Sequence, residues 1–244
     1  MPEGPSIVIL KELVQQFANK KVIAVSGNAK LDIDRAKDQK VIAFRSWGKH
    51  FLICFKGWAF RVHLLMFGSY RINEEKDTQP RLSLIFPNGS LNLYSCSVKI
   101  IEGDLSDTYD WSADIMSDEW DPKAAVKKLR EHKEMLLCDA LLDQEIFSGS
   151  GNIIKNEVLF RERLHPANEA GWLKPKQLSS LVKAVHDYAF DFLKWKKEYT
   201  LKSHWQIHTR KECPRCKLPA HKEYMGKTHR RTFFCTNCQL LHQP

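Results

Sequence analysis

Residues 141–166 read LLDQEIFSGSGNIIKNEVLFRERLHP, and the fold turns on how this stretch is parsed. An apolar helical run ends at Phe147. Ser148-Gly149-Ser150-Gly151 resists continuing that helix, and Asn152 is placed to cap a second one carrying Ile153, Ile154, Val158 and Leu159. Two glycines before the cap permit a tight turn, positive φ and close backbone approach. They also leave amide donors at a helix N-terminus, where the helix dipole favours an anion such as phosphate. Taken alone, such a turn is an ordinary short connection between helices. Its surroundings decide otherwise.

Charge is distributed unevenly around it. The net charge is +9, and from Lys194 onward 12 Lys/Arg oppose three Asp/Glu, whereas the preceding 193 residues carry 26 of each sign. A positive tail of this kind is the footprint of a polyanion, usually nucleic acid. Within it stand Cys213-Pro-Arg-Cys216 and Cys235-Thr-Asn-Cys238, with 18 residues between the pairs. That spacing suits one zinc ion held tetrahedrally by four thiolates. With every ligand supplied by protein the metal is structural, and it holds together a segment too small to fold on its own core. His221, His229 and His242 are bystanders to a complete cysteine set. Lys222, Lys227, Arg230 and Arg231 fall between the knuckles on an expected exposed hairpin, suited to nucleic-acid contact. Cys54, Cys96 and Cys138 lie in apolar stretches and read as ordinary buried thiols.

In chain order, MPEGP opens an amphipathic helix with Ile9, Leu10, Leu13, Val14 and Phe17 on one side. Short strand-like runs follow at 22–25, 41–44, 51–55, 59–64, 82–86 and 91–94, with Pro87-Asn88-Gly89 as a hairpin turn. Residues 103–121 are acidic and irregular and read as a linker. Asp121-Pro122 is a helix start, a cap followed by proline in the first turn. A last amphipathic helix spans 175–197, with Leu178, Leu181, Val185, Tyr188, Phe192 and Trp195 facing a core. The expected fold class is α+β and multidomain. It comprises a β-sandwich with a leading helix (1–110), a helical domain (111–204) and a four-cysteine zinc finger (205–244). No run reaches the ~18 apolar residues of a membrane span, and no secretory leader pattern is visible. A soluble, cytoplasmic, monomeric protein is the expectation.

The N-terminus has chemistry of its own. Met-Pro-Glu suits removal of the initiator methionine, which would expose Pro2 as a secondary amine. An α-amino group titrates near 8, so part of it is unprotonated at neutral pH and can attack an electrophilic sugar carbon. Glu3 is placed to donate or relay a proton. Many unrelated chains begin in the same way.

Together these features resemble the Fpg/Nei family of formamidopyrimidine-DNA glycosylases and endonuclease VIII-like enzymes. MPEGP resembles the family's catalytic start. Trp47-Gly48-Lys49-His50 resembles the segment that carries its lysine, and His63-Leu-Leu-Met66-Phe-Gly68 resembles its intercalation loop. Leu142-Asp143-Gln144, Gly149-x-Gly151-Asn152, Glu157 and His165-Pro166 match the helix–two-turn–helix motif, and the four-cysteine finger closes the chain. The resemblance implies a base-excision glycosylase and abasic-site lyase acting on double-stranded DNA with damaged bases or abasic sites. Pro2 would be the nucleophile and Glu3 the acid/base. Lys49, Asn152 and Arg230, with Arg231 as the alternative, would hold phosphates beside the lesion. His63 lies in the loop whose Met66 would be the wedge that enters the stack when the base flips out.

Three departures bear on specificity. Position 6 is Ser where many members carry Glu. The arginine and phenylalanine of the second intercalation loop are not found in 91–103. Only 15 residues separate Lys197 from Cys213, too few for the long loop that covers 8-oxoguanine. These favour oxidised pyrimidines. The competing class is a non-catalytic nucleic-acid-binding protein, for which Pro2, Glu3 and Lys49 would have no use.

Overall fold

The computed structural model describes residues 2–242; Met1, and with it the expectation of its removal, lies outside the described residues, as do Gln243 and Pro244. The chain divides after Tyr109 into two compact units.

The first unit opens with α1 (Gly4–Leu13), which has Pro5 in its first turn where a missing N–H costs nothing. Ile7, Leu10, Val14 and Phe17 are wholly buried, but Leu13, expected on the core face, is half exposed. The helix ends there, and the tighter turn at Gln15–Phe17 swings Phe17 inward to stack on Phe86 at 4.6 Å. Eight strands follow: β1 (Ala24–Ser26), β2 (Ala43–Trp47), β3 (His50–Phe55), β4 (Trp58–His63), β5 (Ser69–Ile72), β6 (Leu82–Phe86), β7 (Gly89–Tyr94) and β8 (Ser97–Glu102). They form two antiparallel four-stranded sheets, ordered β1-β6-β7-β5 and β2-β3-β4-β8. Residues of both sheets, among them Phe44, Phe51, Phe60, Leu84 and Leu91, share one core with α1. This is the expected sandwich. The turn between β6 and β7 lies where Pro87-Asn88-Gly89 places it, with Gly89 at φ 145°. Sequence reading missed β5 and β8 because neither carries a run of apolar residues; in β8 only Val98 and Ile101 are buried.

The expected linker at 103–121 is a correction. Leu105, Tyr109, Trp111, Ala113 and Ile115 are buried. The aspartates read as solvated linker are caps: Asp104 accepts from Ser106 N at 2.8 Å and Asp110 from Ser112 N at 3.0 Å, each starting a short 3-10 turn.

The second unit contains α2 (Pro122–Glu131), α3 (Leu137–Ala140), α4 (Asn152–Arg161), α5 (Pro175–Lys197) and a hairpin of β9 (His221–Met225) with β10 (Arg230–Phe234). Asp121 caps α2 as expected, accepting from Lys123 N at 2.8 Å. The buried face of α5 holds Leu178, Leu181, Val185, Tyr188 and Phe192, again as expected. The apolar run expected to stay helical to Phe147 does not: α3 is a single turn, and 141–150 is a chain of turns. Local hydrogen bonds explain why. Asp143 accepts from Glu145 N at 2.8 Å, and Gln144 donates to Leu142 O and Ser150 O while accepting from Gly149 N. These side chains give the backbone partners that an α-helix would otherwise supply. No helix among the described residues is long and apolar enough to cross a membrane.

Candidate nucleic-acid interface and N-terminal site

In the first unit, Pro2 is half-buried and Glu3, at 1% exposure, is shut away from water. Glu3 occupies the N-cap position of α1 with extended backbone, yet its carboxylate does not cap the helix. The side chain is therefore not committed to the task that acidic residues usually perform there. Helix α1 packs on β2 and β3, and Lys49 sits in the turn joining those two strands, where Gly48 takes φ 51°. Opposite that turn His50 pairs in register with His63 at the end of β4, the rings edge-on at 5.4 Å. Burial pushes the His50 imidazole down to about 3, helped by Arg61, His63 and Lys49. His63 is lowered in the same way, first by burial and then by Lys49 and Arg61. Tyr109, whose phenol burial pushes up to about 12, shares a hydrogen bond of 3.3 Å with His50 Nδ1. Lys49 and Arg61 thus act as nearby positive charges that, with burial, keep both imidazoles uncharged at neutral pH.

His63 leads directly into the turn between β4 and β5. Leu64 is buried, while Leu65, Met66 and Phe67 are exposed at 47, 53 and 82%. Leu65 adopts φ 51°, and a Cβ at Gly68 would lie 1.7 Å from Leu64 O. The turn thus closes only with glycine at position 68. Phe67 was not among the residues expected to act, since loop-tip exposure is not legible in a sequence.

In the second unit Asn152 is not the cap of α4; that is Gly151, with Asn152 the first helical residue. Freed from capping, the Asn152 amide reaches the hairpin and donates to Arg231 O at 2.9 Å. Gly149 supplies the one positive φ of the turn, 99°. The Ser148 and Ser150 hydroxyls and Asn152 Oδ1 are buried without a protein partner. One turn along α4, Lys155 is fully buried and donates to Thr232 Oγ1 at 2.8 Å and to Arg231 O at 3.3 Å. Arg230 and Arg231 are exposed at the start of β10. Asn152 thus lies against the strand that carries Arg230 and Arg231, and Lys155, which sequence reading did not single out, reaches the same strand.

Two buried carboxylates hold this assembly. Glu157, at 0% exposure, accepts from Gln206 N, Ile207 N and His208 N at 2.8, 2.9 and 2.7 Å. Asp139 on α3 accepts from Lys227 N at 2.9 Å and from Thr228 N and Oγ1 at 3.3 and 3.2 Å, gripping the hairpin tip. A Cβ at Gly226 would come within 2.3 Å of that carboxylate, which is why glycine stands there.

The thiols of Cys213, Cys216, Cys235 and Cys238 lie within 4.8 Å of one another, with Cys213–Cys238 at 3.8 Å and Cys216–Cys235 at 3.5 Å. Metal–sulfur bonds of about 2.3 Å arranged tetrahedrally separate sulfurs by about 3.8 Å, so the set fits a four-thiolate metal. Phe160, Ile207 and Phe233 make a small core with Cys213 and Cys235, and Arg215 donates to Phe160 O at 2.7 Å, where a cation suits the end of α4. Elsewhere, burial pushes the thiols of Cys54, Cys96 and Cys138 up to about 11, so they stay protonated. A cavity of about 650 Å³ between α2 and α5 contains none of the expected site residues.

Comparison with known proteins accounts for this arrangement. Residues 1–95 match the formamidopyrimidine-DNA glycosylase N-terminal domain, and residues 112–198 match the formamidopyrimidine-DNA glycosylase H2TH domain. The chain belongs to the Fpg/Nei family. It is 30% identical over 231 residues to endonuclease 8-like 3 of Xenopus laevis, covering 89% of this chain but only 38% of that relative's length. To the formamidopyrimidine-DNA glycosylase of Chloroflexus aurantiacus it is 24% identical over the whole of both chains. Among solved structures, the Lactococcus lactis Fpg bound non-covalently to DNA containing an AP site superposes with a TM-score of 0.85 at 20% identity, over 97% of this chain and 99% of that one. The Fpg/Nei fold is thus reproduced from the sandwich through the helix–two-turn–helix motif to the cysteine cluster.

Proposed function

We propose that this protein is a base-excision DNA glycosylase and abasic-site lyase acting on oxidised bases, pyrimidines in preference. The observation that carries the reading is a buried carboxyl, Glu3, beside Pro2 in a chain that matches the glycosylase N-terminal domain over that very stretch. The amine of Pro2, exposed by loss of Met1, attacks C1′ of the damaged nucleotide as the glycosidic bond breaks and the base leaves with a proton. Glu3 protonates O4′ as the sugar ring opens, leaving an iminium on Pro2. Loss of a C2′ proton then expels the 3′ phosphate by β-elimination, the course ending there or continuing through a second, δ-elimination. Lys49 and Arg230, with Arg231 as the alternative, supply phosphate contacts, and Asn152 adds a neutral donor. Met66 occupies the space of the extruded nucleotide. One zinc ion on Cys213, Cys216, Cys235 and Cys238 supplies cross-linking of the hairpin segment and no chemistry.

Borohydride should trap the protein covalently on a duplex containing an abasic site, and Pro2→Gly or an added N-terminal tag should remove most of the adduct. Undiminished trapping after either change would assign the amine to an internal lysine. Glu3→Gln should suppress base excision far more than cleavage of a preformed abasic site. If wild-type protein bound the duplex but was never trapped, the non-catalytic binding reading would replace this one.

A further inference from the structure

The cavity of about 650 Å³ between α2 and α5 lies wholly within the second unit and plays no part in the chemistry proposed above. Its lining positions recur every three or four residues, from Pro122 to Glu131 on α2 and from Ser179 to His186 on α5. Each helix therefore contributes one stripe about two turns long, and a slot between two such stripes has the shape that a third helix fills. The floor is apolar. Val182 is buried, Val126 and Trp120 are half-buried, and Trp120 lies parallel to the His186 ring at 6.4 Å. Phe190, exposed at 44%, extends this surface by packing on His186 at 4.8 Å. The rim is cationic, but its charges are not equivalent. Lys127 is paired with Glu131 and Lys183 with Asp187, each within its own helix. Lys123 and Arg130 line the same slot, are exposed, and form no ion pair among the described residues. They stand seven positions apart on α2, about 10 Å at the rise of an α-helix.

We propose that this slot receives an amphipathic helix of another protein, its apolar stripe laid on Trp120, Val126 and Val182. Two acidic residues of that helix, seven positions apart beside the stripe, face Lys123 and Arg130. Apolar residues at i, i+3, i+4 and i+7 are how such a helix anchors in a groove, and a half-buried tryptophan is the kind of side chain that dominates binding energy. The two free cations add orientation and partner choice. A nucleic-acid strand fits less well, because the two cations midway along the rim are already neutralised and a phosphate backbone needs a continuous track of charge. A second copy of this chain fits no better. Within its described helices only Leu13 and Phe190 are exposed large apolar residues, too few for an anchoring stripe. The inference does not rest on the glycosylase reading.

The test uses the full chain and three fluorescein-labelled peptides, read by fluorescence anisotropy. Each carries leucines at i, i+3, i+4 and i+7. The first has glutamates seven positions apart beside the stripe, the second has lysines there, and the third is the first with a central proline that breaks the helix. The glutamate peptide should bind at least about tenfold more tightly than either of the others. Reversing the rim with Lys123→Glu and Arg130→Glu together, both at exposed positions, should invert the order of the glutamate and lysine peptides. Val126→Ser should weaken the glutamate peptide by about five- to tenfold, the effect expected when one apolar contact is lost. The same variant should leave binding of an oligothymidylate unchanged. Three results overturn the proposal: no binding of the glutamate peptide at its highest soluble concentration, equal affinity for the glutamate and lysine peptides, or an order that charge reversal does not invert. A parallel loss of oligothymidylate binding in Val126→Ser also overturns it and assigns the slot to nucleic acid.

Discussion

Replacing Glu157 by glutamine tests whether the second unit depends on one carboxylate. The change is nearly isosteric, so no cavity confuses the result. Glu157 Oε1 accepts two backbone amides and Oε2 a third, at 2.7 to 2.9 Å, in a site with no exposed surface. Glutamine keeps one acceptor oxygen. Whichever way it is turned, its NH2 group faces an amide that is itself a donor. A hydrogen bond to a charged acceptor contributes roughly 1.5–3 kcal/mol, and a buried amide left unpaired costs about 1–3 kcal/mol. E157Q should therefore destabilise by roughly 3–5 kcal/mol, a large share of the 5–15 kcal/mol that holds a typical protein folded. The loss should be local before it is global. Hydrogen exchange at Gln206, Ile207 and His208 should quicken by about a hundred- to a thousand-fold. Ile207 belongs to the small core beside Cys213, so metal release to a chelator should accelerate too. Unchanged exchange at those three amides, with an unfolding midpoint within about 0.5 kcal/mol of wild type, would refute the reasoning.

Other expectations can be checked with simpler measurements. Elemental analysis should find one zinc per chain, and Cys238→Ser should unfold the hairpin segment and weaken DNA binding, as folding and metal binding are coupled; full DNA affinity after zinc removal would detach the segment from DNA contact. Lys49→Ala and Arg230→Ala should each flatten the salt dependence of binding by about one unit of slope, whereas Asn152→Ala should lower affinity at constant slope. An unaltered slope in Arg230→Ala, with a change in Arg231→Ala, would transfer the contact to Arg231. His50 stays neutral in the fold down to about pH 3 but takes up a proton near 6.5 when unfolded. Stability should thus be level above pH 6.5 and fall as pH drops from there towards 3, by up to about 1.4 kcal/mol per unit from this residue. His50→Asn should remove that part of the slope in urea unfolding at pH 7 and 5, and an unchanged slope would assign the acid sensitivity elsewhere.

The sequence was most readable where one residue type has one use. Asp121-Pro122 starts a helix where it says it does, the paired CxxC knuckles bring four thiols together, and the apolar period of 175–197 reproduces α5 to the residue. It was least readable where side chains compete with backbone. Asp104 and Asp110 looked like solvated charge but cap short turns, and Asp143 and Gln144 unwind a run whose apolar pattern is helical. The candidate site divides in the same way. Pro2, Glu3, Lys49, Asn152 and Arg230 were named from their order along the chain. Lys155 and Asp139 act through partners 76 and 88 residues away, and no local pattern announces them.

Helix α4 also limits how such a protein could be recombined. Asn152, Lys155, Asn156, Glu157 and Phe160, on one ten-residue helix, all engage the chain beyond residue 204, and further along Leu164 and Asn168 bond to residues 239–242. A tail borrowed from a relative would arrive without the helix its backbone is fitted to, and the helix would keep a buried lysine and a buried glutamate with nothing to meet. Chimeras joined at the 109/110 boundary should fold, whereas those joined between α5 and Gln206, which exchange the partners of both Lys155 and Glu157, should not. In gene shuffling, the helix and the cysteine knuckles should be inherited as one block.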